Sequence, residues 1–460
     1  MPWILTHIIL VIGFLLGFFG LAILLTRSKQ RQGIGVWIFW MLVVPYVAVP
    51  LYLFLGDRKY RKIIREKGGV VFGETEQACS PHVHPLDALF RNLGLPAASR
   101  GNALECIQDG VKVYETFMKQ IEEARESIFI ETFVFKFDAT GRAIFDALVR
   151  KAQAGVTVCL MIDGLGSMHV KERDLKPLVD EGGQAVIFLP VMRLPFHGNT
   201  NTRDHRKIAI FDRTRVIAGG SNLADEYMGP TANPDRWQDF NILLEGPAVR
   251  HYLAIFQSDW EFAGKCRLES ADAPPDPCVQ DADLLTQVVP SGPDIPSDSL
   301  YYGVINIAYM SQRRFWLATP YFVPDDMLCE AICMAARRGV DVRIIVPHAS
   351  NHAMTDLARS TYLRRVAECG GTVVRYTGGM FHGKTVLSDD QVALVGSMNA
   401  DRRSLFINFE VMLAVYDAGS IEAIEEWNRM LISDSVEGLI HATRLRLLYE
   451  RFVGLIAPQL

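Results

Sequence analysis

One pattern occurs twice in this chain, and that repetition constrains the fold more than any other feature. Ser127–Phe135 is strand-like, Ala143–Gln153 carries apolar residues at helical spacing, and Gly155–Asp163 is a second, mostly apolar strand. The same order returns at Phe315–Phe322, Leu328–Arg338 and Gly339–Val346, and Gly370–Val374 corresponds to Gly182–Val186. Short apolar runs between helices mark strands of a sheet covered on both faces. A repeat of this length has to be recognised before the fold class is assigned. The reading is an α/β fold built from two tandem α/β/α halves, expected as two sheets side by side. The Pro- and Asp-rich stretch 271–299 reads as a linker between them.

Each half ends in one constellation. His205 is followed by Lys207 and Asp212, then by Gly219, Gly220 and Asn222. His382 is followed by Lys384 and Asp389, then by Gly396, Ser397 and Asn399. One match is weak, but two in one register of a repeat are strong. His and Lys two apart on a strand share a face, and the apolar residues after each motif bury it. A buried Lys needs an anion, and phosphate suits a site that adds Asn donors and a Gly-rich backbone. Facing halves would gather two His, two Lys and two Asn around one phosphodiester. One neutral imidazole can attack phosphorus while the other, protonated, protonates the leaving alkoxide. The lysines take the place of a metal ion on the phosphoryl oxygens. No cofactor and no metal are expected. The symmetry of the repeat leaves open which histidine is the nucleophile.

The N-terminus sets a second constraint. Pro2–Leu25 contains no Asp, Glu, Lys or Arg, and neither does Gln32–Gly56. Each run exceeds the roughly 20 residues a helix needs to cross a bilayer. Together they read as a transmembrane hairpin, which accounts for a mean hydropathy of +0.14 in a chain that is 22% charged. A cleaved signal peptide fits less well, since there is no basic leader and a second apolar run follows at once. Arg27, Lys29 and Arg31 lie in the connection, and Arg58, Lys59, Arg61, Lys62, Arg65 and Lys67 follow the second run. That bias puts the rest of the chain on the cytoplasmic side.

A net charge of −5 argues against nucleic acid as the main partner. The eight cysteines are scattered and read as buried thiols of a reducing compartment. Cys329 and Cys333, four apart on one helix, lack the further ligands of a zinc site, and so do His348 and His352. His197 lies in a loop with no counterpart in the second half. The loop holding His348 and His352 is expected to border a head-group pocket. The C-terminal run His441–Leu460 is amphipathic and reads as a helix packed on the core, or as a surface touching anionic lipid.

With its paired motifs, its Gly-Val strands and its hairpin, the chain resembles the phospholipase D superfamily and, within it, bacterial cardiolipin synthases. The flanks Asp225–Gly229, Trp237–Asp239, Glu245–Val249, Asp401–Ser404 and Asn408–Glu410 are similar to that subfamily. The resemblance implies a phosphohistidine intermediate with His205 as nucleophile and His382 as acid/base. It implies that Lys207, Lys384, Asn222 and Asn399 bind phosphate. Asp212 and Asp389 belong to the catalytic motifs and are expected as structural ion partners, and Asp239 and Glu410 as acceptors that orient the imidazoles. The implied reaction joins two phosphatidylglycerol molecules into cardiolipin and glycerol at the bacterial inner membrane. The alternative is a phospholipase D in which water, or another alcohol, resolves the intermediate; a nuclease or a silent scaffold fits the acidic charge and intact motifs less well. The expected organisation is a transmembrane hairpin over 1–57, a connector over 58–110, a first half over 111–270, a linker over 271–299 and a second half with a C-terminal helix over 300–460. The sequence carries no signal for the oligomeric state.

Overall fold

The computed structural model describes residues 2–27, 34–55, 66–72, 84–191, 202–264, 267–268, 282–440, 443, 446 and 450. His197, Cys79, Cys266, Cys278 and most of the C-terminal run lie outside them.

The first half contains β1 (Ser99–Ile107), β2 (Ser127–Thr132), β3 (Thr157–Asp163), β4 (Gln184–Phe188), β5 (Ile208–Phe211), β6 (Arg215–Gly219) and β7 (Asn241–Glu245). The second contains β8 (Leu284–Ser291), β9 (Arg314–Ala318), β10 (Phe322–Val323), β11 (Asp341–Pro347), β12 (Thr372–Tyr376), β13 (Thr385–Ser388), β14 (Val392–Gly396), β15 (Ala400–Asp401), β16 (Glu410–Val415) and β17 (Ser435–Glu437). Strand order in the main sheet is β17-β12-β11-β9-β13-β14-β16-β8-β1-β7-β6-β5-β2-β3-β4. Outward from the centre, β1-β7-β6-β5-β2-β3-β4 repeats as β8-β16-β14-β13-β9-β11-β12. The duplication read from sequence is thus a duplication of topology.

Two expectations need correction. The halves are not separate sheets: β1 and β8 pair antiparallel, Ser99 opposite Thr286 and Asn102 opposite Leu284, and join them into one 15-stranded sheet. Each central strand also falls in a stretch read as a connection, β1 in 58–110 and β8 in 271–299. Gly101 and Asn102 interrupt the apolar pattern of β1, and Pro290 that of β8, so neither announces a strand.

Burial follows this plan. Ile128 and Ile130 of β2 face an outer core with the helices Gly110–Glu123 and Ala139–Gln153. Leu317 of β9 and Ile344 of β11 face a matching core with the helices Ser299–Met310 and Asp326–Arg337. The opposite faces share a third core, which brings Phe129, Phe240, Phe256 and Trp260 together with Trp316, Phe381, Phe409 and Trp427. Period-2 alternation in each strand therefore feeds one private core and one shared core. The shared core fixes the halves against each other.

At the N-terminus α1 (Pro2–Arg27) packs on α2 (Ile34–Val43) and α3 (Pro45–Leu55). The second leg breaks at Val44 because Pro45 has no N–H and disfavours helical geometry in the residue before it. Gly17 and Gly20 of α1 let the legs approach. A Cβ on Gly17 would stand 2.8 Å from the Met41 carbonyl oxygen, and one on Gly20 would stand 2.7 Å from Val49 Cγ2. Trp3, Leu10, Phe14 and Phe18 are exposed on the outside. Among the described residues no helix is long and apolar enough to cross a membrane; in α1 the continuous run of described side chains covers 7–22.

Candidate active site

His205 and His382 each enter the site on a short extended segment just before an interior strand of the sheet, β5 in the first half and β13 in the second. The segments are held by the opposite half. His205 N–H donates to the Phe409 carbonyl at 2.9 Å, and Phe409 N–H donates to the Arg203 carbonyl at 2.9 Å. In mirror fashion His382 N–H donates to the Gln238 carbonyl at 2.6 Å, and Gln238 N–H donates to the Met380 carbonyl at 3.0 Å. These isolated parallel bridges, Asp204 with Phe409 and Gln238 with Phe381, dock each histidine segment beside the segment that carries the other half's carboxylate.

The side chains follow that exchange. His205 Nδ1 lies 3.0 Å from the Glu410 carboxylate. His382 Nδ1 lies 3.1 Å from Asp239 Oδ2 and 3.1 Å from the Gly220 carbonyl oxygen. A carboxylate on Nδ1 fixes the tautomer and leaves Nε2 with its lone pair. Gly220 serves this arrangement, since a Cβ there would stand 2.0 Å from Asp239 Oδ1. At the matching position of the second half Ser397 donates its hydroxyl to Glu410.

Lys207 Nζ donates to the His205 carbonyl at 2.6 Å, and Lys384 Nζ lies 2.8 Å from His382 Nδ1 and 3.0 Å from its Nε2. Both lysines are buried. Asn222 Oδ1 accepts from Val134 N–H at 3.0 Å, which directs its NH2 group away from that strand end. Asn399 is buried, and its Oδ1 has no partner. Aromatic rings close the walls, with Phe133 against His205 at 5.0 Å and Tyr227 against His382 at 5.1 Å.

Burial sets the electrostatics. It pushes His382 down to about 3, with Lys384 adding to the effect. Burial, then Lys207 and Lys384, hold His205 well below the usual imidazole range. Burial also lowers Lys207 to about 8 and Lys384 to about 7, and raises Glu410 to about 7 against the pull of Lys207. A bound phosphodiester anion would reverse the trend for the cations, because it supplies the charge that burial removed. The site as built thus holds two uncharged imidazoles beside two buried lysines whose pKa values burial lowers.

Asp212 and Asp389 are elsewhere. Asp212 stands at the far end of β5 and accepts from the N–H groups of Arg125, Glu126 and Ser127 at 2.7–3.0 Å. Asp389 accepts from Gln312, Arg313 and Arg314 N–H at 2.8–3.0 Å. Both sit in the left-handed region, with φ of 48° and 50°. Their oxygens meet backbone amides, and each ties the turn after the motif strand to the turn that opens the neighbouring strand.

Sequence reasoning missed a buried charge network under His205. Arg206 Nη1 donates to Asp259 Oδ2 at 2.6 Å and to Asp294 Oδ2 at 3.0 Å, and Lys67 Nζ lies 2.6 Å from Asp294 and 2.9 Å from Asp259. Glu131 joins Asp204 and Asp259 in a buried set whose carboxylate oxygens lie within 4.8 Å of one another. Neither Glu131 oxygen has a hydrogen-bond partner, and burial with the nearby Asp204 holds a proton on it. Arg206 and Lys67 already occupy Asp259, so the set is balanced without a cation. Among the described residues the second half shows no matching network, because Gly383 replaces Arg206 and Trp427 fills its space. The only sequence signal was an arginine between the motif histidine and lysine, where the second half has Gly383.

A cleft of about 560 Å³ opens beside His205 and Asn399, lined by residues that include Arg203, Tyr321, Asn351, His352, Arg402 and Arg403. The loop after His348 thus does border a pocket. His348 itself faces Arg375, with Nδ1 and Nη1 3.1 Å apart.

Comparison with known proteins decides the family. The family model described as "Cardiolipin synthase, PLD-like domain" matches residues 117–260 and 304–432. The chain belongs to the phospholipase D-like cardiolipin synthase family. Among curated relatives it is 31% identical to the major cardiolipin synthase ClsA of Bacillus subtilis, over 86% of this chain and 87% of that one. It is 27% identical to cardiolipin synthase 1 of Bacillus cereus, over 95% of this chain and 91% of the relative. The phosphatidylserine synthase of Haemophilus influenzae has the same fold, with a TM-score of 0.63 and 17% identity, covering 82% of this chain and 100% of that chain. The resemblance read from the paired motifs is therefore correct. The chain is an enzyme of the phosphatidyltransferase class acting on a phospholipid.

Proposed function

We propose that the chain is a membrane-anchored cardiolipin synthase that transfers a phosphatidyl group from one phosphatidylglycerol to the glycerol head group of another. The observation that carries this reading is the crossed pairing of His205 with Glu410 and of His382 with Asp239. It puts two oriented imidazoles in one site with two lysines and two asparagines.

In this scheme His205 Nε2 forms a bond to phosphorus as the bond to the first glycerol oxygen breaks. The bound phosphodiester anion raises the His382 pKa from the low value set by burial and Lys384, so this imidazole enters the step protonated; it gives that proton to the oxygen and glycerol leaves. His382, now neutral, takes the proton of a hydroxyl on the second phosphatidylglycerol. That oxygen attacks phosphorus and the phosphorus–nitrogen bond breaks, returning both imidazoles to their starting state. The resemblance to the superfamily supports the order of the two histidines. Lys207, Lys384, Asn222 and Asn399 hold the phosphoryl oxygens throughout, in the place a metal would take.

The hairpin over 1–57 is proposed as the membrane anchor, because two charge-free legs pack through glycines and turn large apolar side chains outward. The basic residues from Arg58 to Lys67 support a cytoplasmic catalytic part and a bacterial inner-membrane location. The two-half organisation, with β1 in the first half paired to β8 in the second, goes with this reading.

The test is product analysis. Purified protein in phosphatidylglycerol vesicles with a chelator should form cardiolipin and glycerol in equal amounts. Phosphatidic acid as the main product would replace transfer with hydrolysis, and an absolute need for a divalent metal would overturn the two-histidine scheme.

A further inference from the structure

The central phosphate site is nearly symmetric, with one His, Lys and Asn from each half. The cleft beside it is not. Counting from the motif asparagines, Arg402 and Arg403 in the second half correspond to Asp225 and Glu226 in the first. In the first half these positions are structural. Asp225 accepts from Thr140 N–H at 2.8 Å at the start of the helix Ala139–Gln153, and Glu226 pairs with Lys136. In the second half the same positions are basic and line the cleft that opens on His205.

The two arginines differ. Arg403 is held near Asp401 and Asp163, and burial lowers its pKa. Arg402 begins the short helix Arg402–Phe406 that Asp401 caps, and it is half-buried. Its guanidinium makes no hydrogen bond or ion pair among the described residues. Neutral donors and acceptors line the same cleft. Tyr321 Oη donates to Asn351 Oδ1 at 2.6 Å, the His352 ring packs on Tyr321 at 5.4 Å, and Asn408 Oδ1 is buried without a partner. An arginine with a free planar fork in a polar cleft suits a phosphate oxygen pair, and the neutral wall suits hydroxyls.

We propose that this one-sided cleft receives the phosphodiester of the acceptor lipid, with Arg402 as its principal contact. The inference rests on the transfer reaction above and adds to it where the second substrate is selected. Transfer between two phosphatidylglycerols places two phosphodiesters in the enzyme at once. The symmetric lysines and asparagines hold the one that reacts, and the cleft holds the one that does not. The acceptor's attacking hydroxyl is separated from that phosphate by the glycerol carbons. Water and simple alcohols lack the phosphate, so the cleft favours a lipid acceptor over them.

A competition experiment reads this directly. Full-length protein in phosphatidylglycerol vesicles is supplied with ethanol, and cardiolipin and phosphatidylethanol are quantified together by mass spectrometry. Both products draw on the same donor and differ only in acceptor. In Arg402→Ala the ratio of cardiolipin to phosphatidylethanol should fall about tenfold, the scale of one charge-assisted contact. Arg402→Lys, which restores the charge without the fork, should recover part of that loss. An unchanged ratio overturns the proposal, and so does a parallel fall of both products, which would place Arg402 on the donor or on the fold. A wild-type protein that makes phosphatidylethanol but no cardiolipin overturns the proposed function instead, so the two failures are distinguishable.

Discussion

Glu410 belongs to the second half of the chain, yet its carboxylate lies 3.0 Å from Nδ1 of His205 in the first. Asp239 returns the exchange to His382 at 3.1 Å. Neither half contains a complete imidazole–carboxylate pair, so both pairs depend on the shared core that holds the halves in register. The exchanged acceptors are also unequal. Glu410 takes a further hydroxyl donor from Ser397, whereas Asp239 shares its imidazole with the Gly220 carbonyl.

The orienting role can be measured. Glu410→Gln keeps the shape but loses the charge that favours Nδ1–H and stabilises an imidazolium. The expected loss in kcat is about 100-fold or more, within the range of a lost acid–base element. Asp239→Asn should cost a comparable factor. Circular dichroism and thermal midpoints close to wild type would show that the loss is chemical. Near-normal turnover in either variant would mean that the carboxylate does not set the tautomer.

The pH profile should be bell-shaped and narrow. Glu410, raised to about 7, must be ionised to hold His205, so kcat/KM falls as pH drops below that value. Lys384, lowered to about 7, and Lys207, lowered to about 8, must be protonated to hold phosphate, so kcat/KM falls again as pH rises through 7–8. A bound anion raises both lysines, so the alkaline limb of kcat should lie at higher pH than that of kcat/KM. In Glu410→Gln the acid limb should disappear while the alkaline limb remains. Rates at saturating and subsaturating lipid between pH 5 and 10 check each point.

Asp389 offers the opposite kind of test. Its oxygens serve three backbone N–H groups at the turn before β9, remote from the imidazoles. Asp389→Ala leaves those donors unmet and should lower stability by about 1–3 kcal/mol. Protein that remains folded should keep kcat near wild type. Asp212→Ala should behave alike in the first half. A large fall in kcat without a fall in thermal midpoint would return these aspartates to the chemistry.

What the sequence made legible follows from what spacing encodes. Repetition of a strand and helix order, and of His-x-Lys with Gly and Asn after it, survives in one dimension, so the duplicated α/β halves and six of the polar site residues could be read directly. The partner of each imidazole could be named as Glu410 or Asp239, but spacing does not say that each serves the other half. The strands β1 and β8 stayed hidden because Gly101, Asn102 and Pro290 break their pattern. Asp212 and Asp389 could be read as structural, but not which groups they hold, because a carboxylate bound to backbone amides leaves no partner residue in the sequence. Arg402 stood among the flanking residues, but its contrast with Asp225 has meaning only once a cleft is seen on one side.

The network under His205 gives a last expectation, with a defined sign. Glu131 is buried without a hydrogen-bond partner, and burial raises its pKa well above 4.5. The folded chain therefore binds a proton that the unfolded chain releases above about 4.5, and that contribution to stability shrinks as pH rises from there. Glu131→Gln imitates the protonated form at every pH and should cancel this loss. The thermal midpoint of the variant should match wild type near pH 5 and exceed it near pH 8. Arg206→Met should do the reverse, because it strands Asp259 and Asp294 beside Lys67 and leaves buried charge without its partner, a change of about 3–5 kcal/mol. A Glu131→Gln protein that melts lower than wild type at pH 8 would mean that Glu131 is ionised in the fold and has an unseen partner.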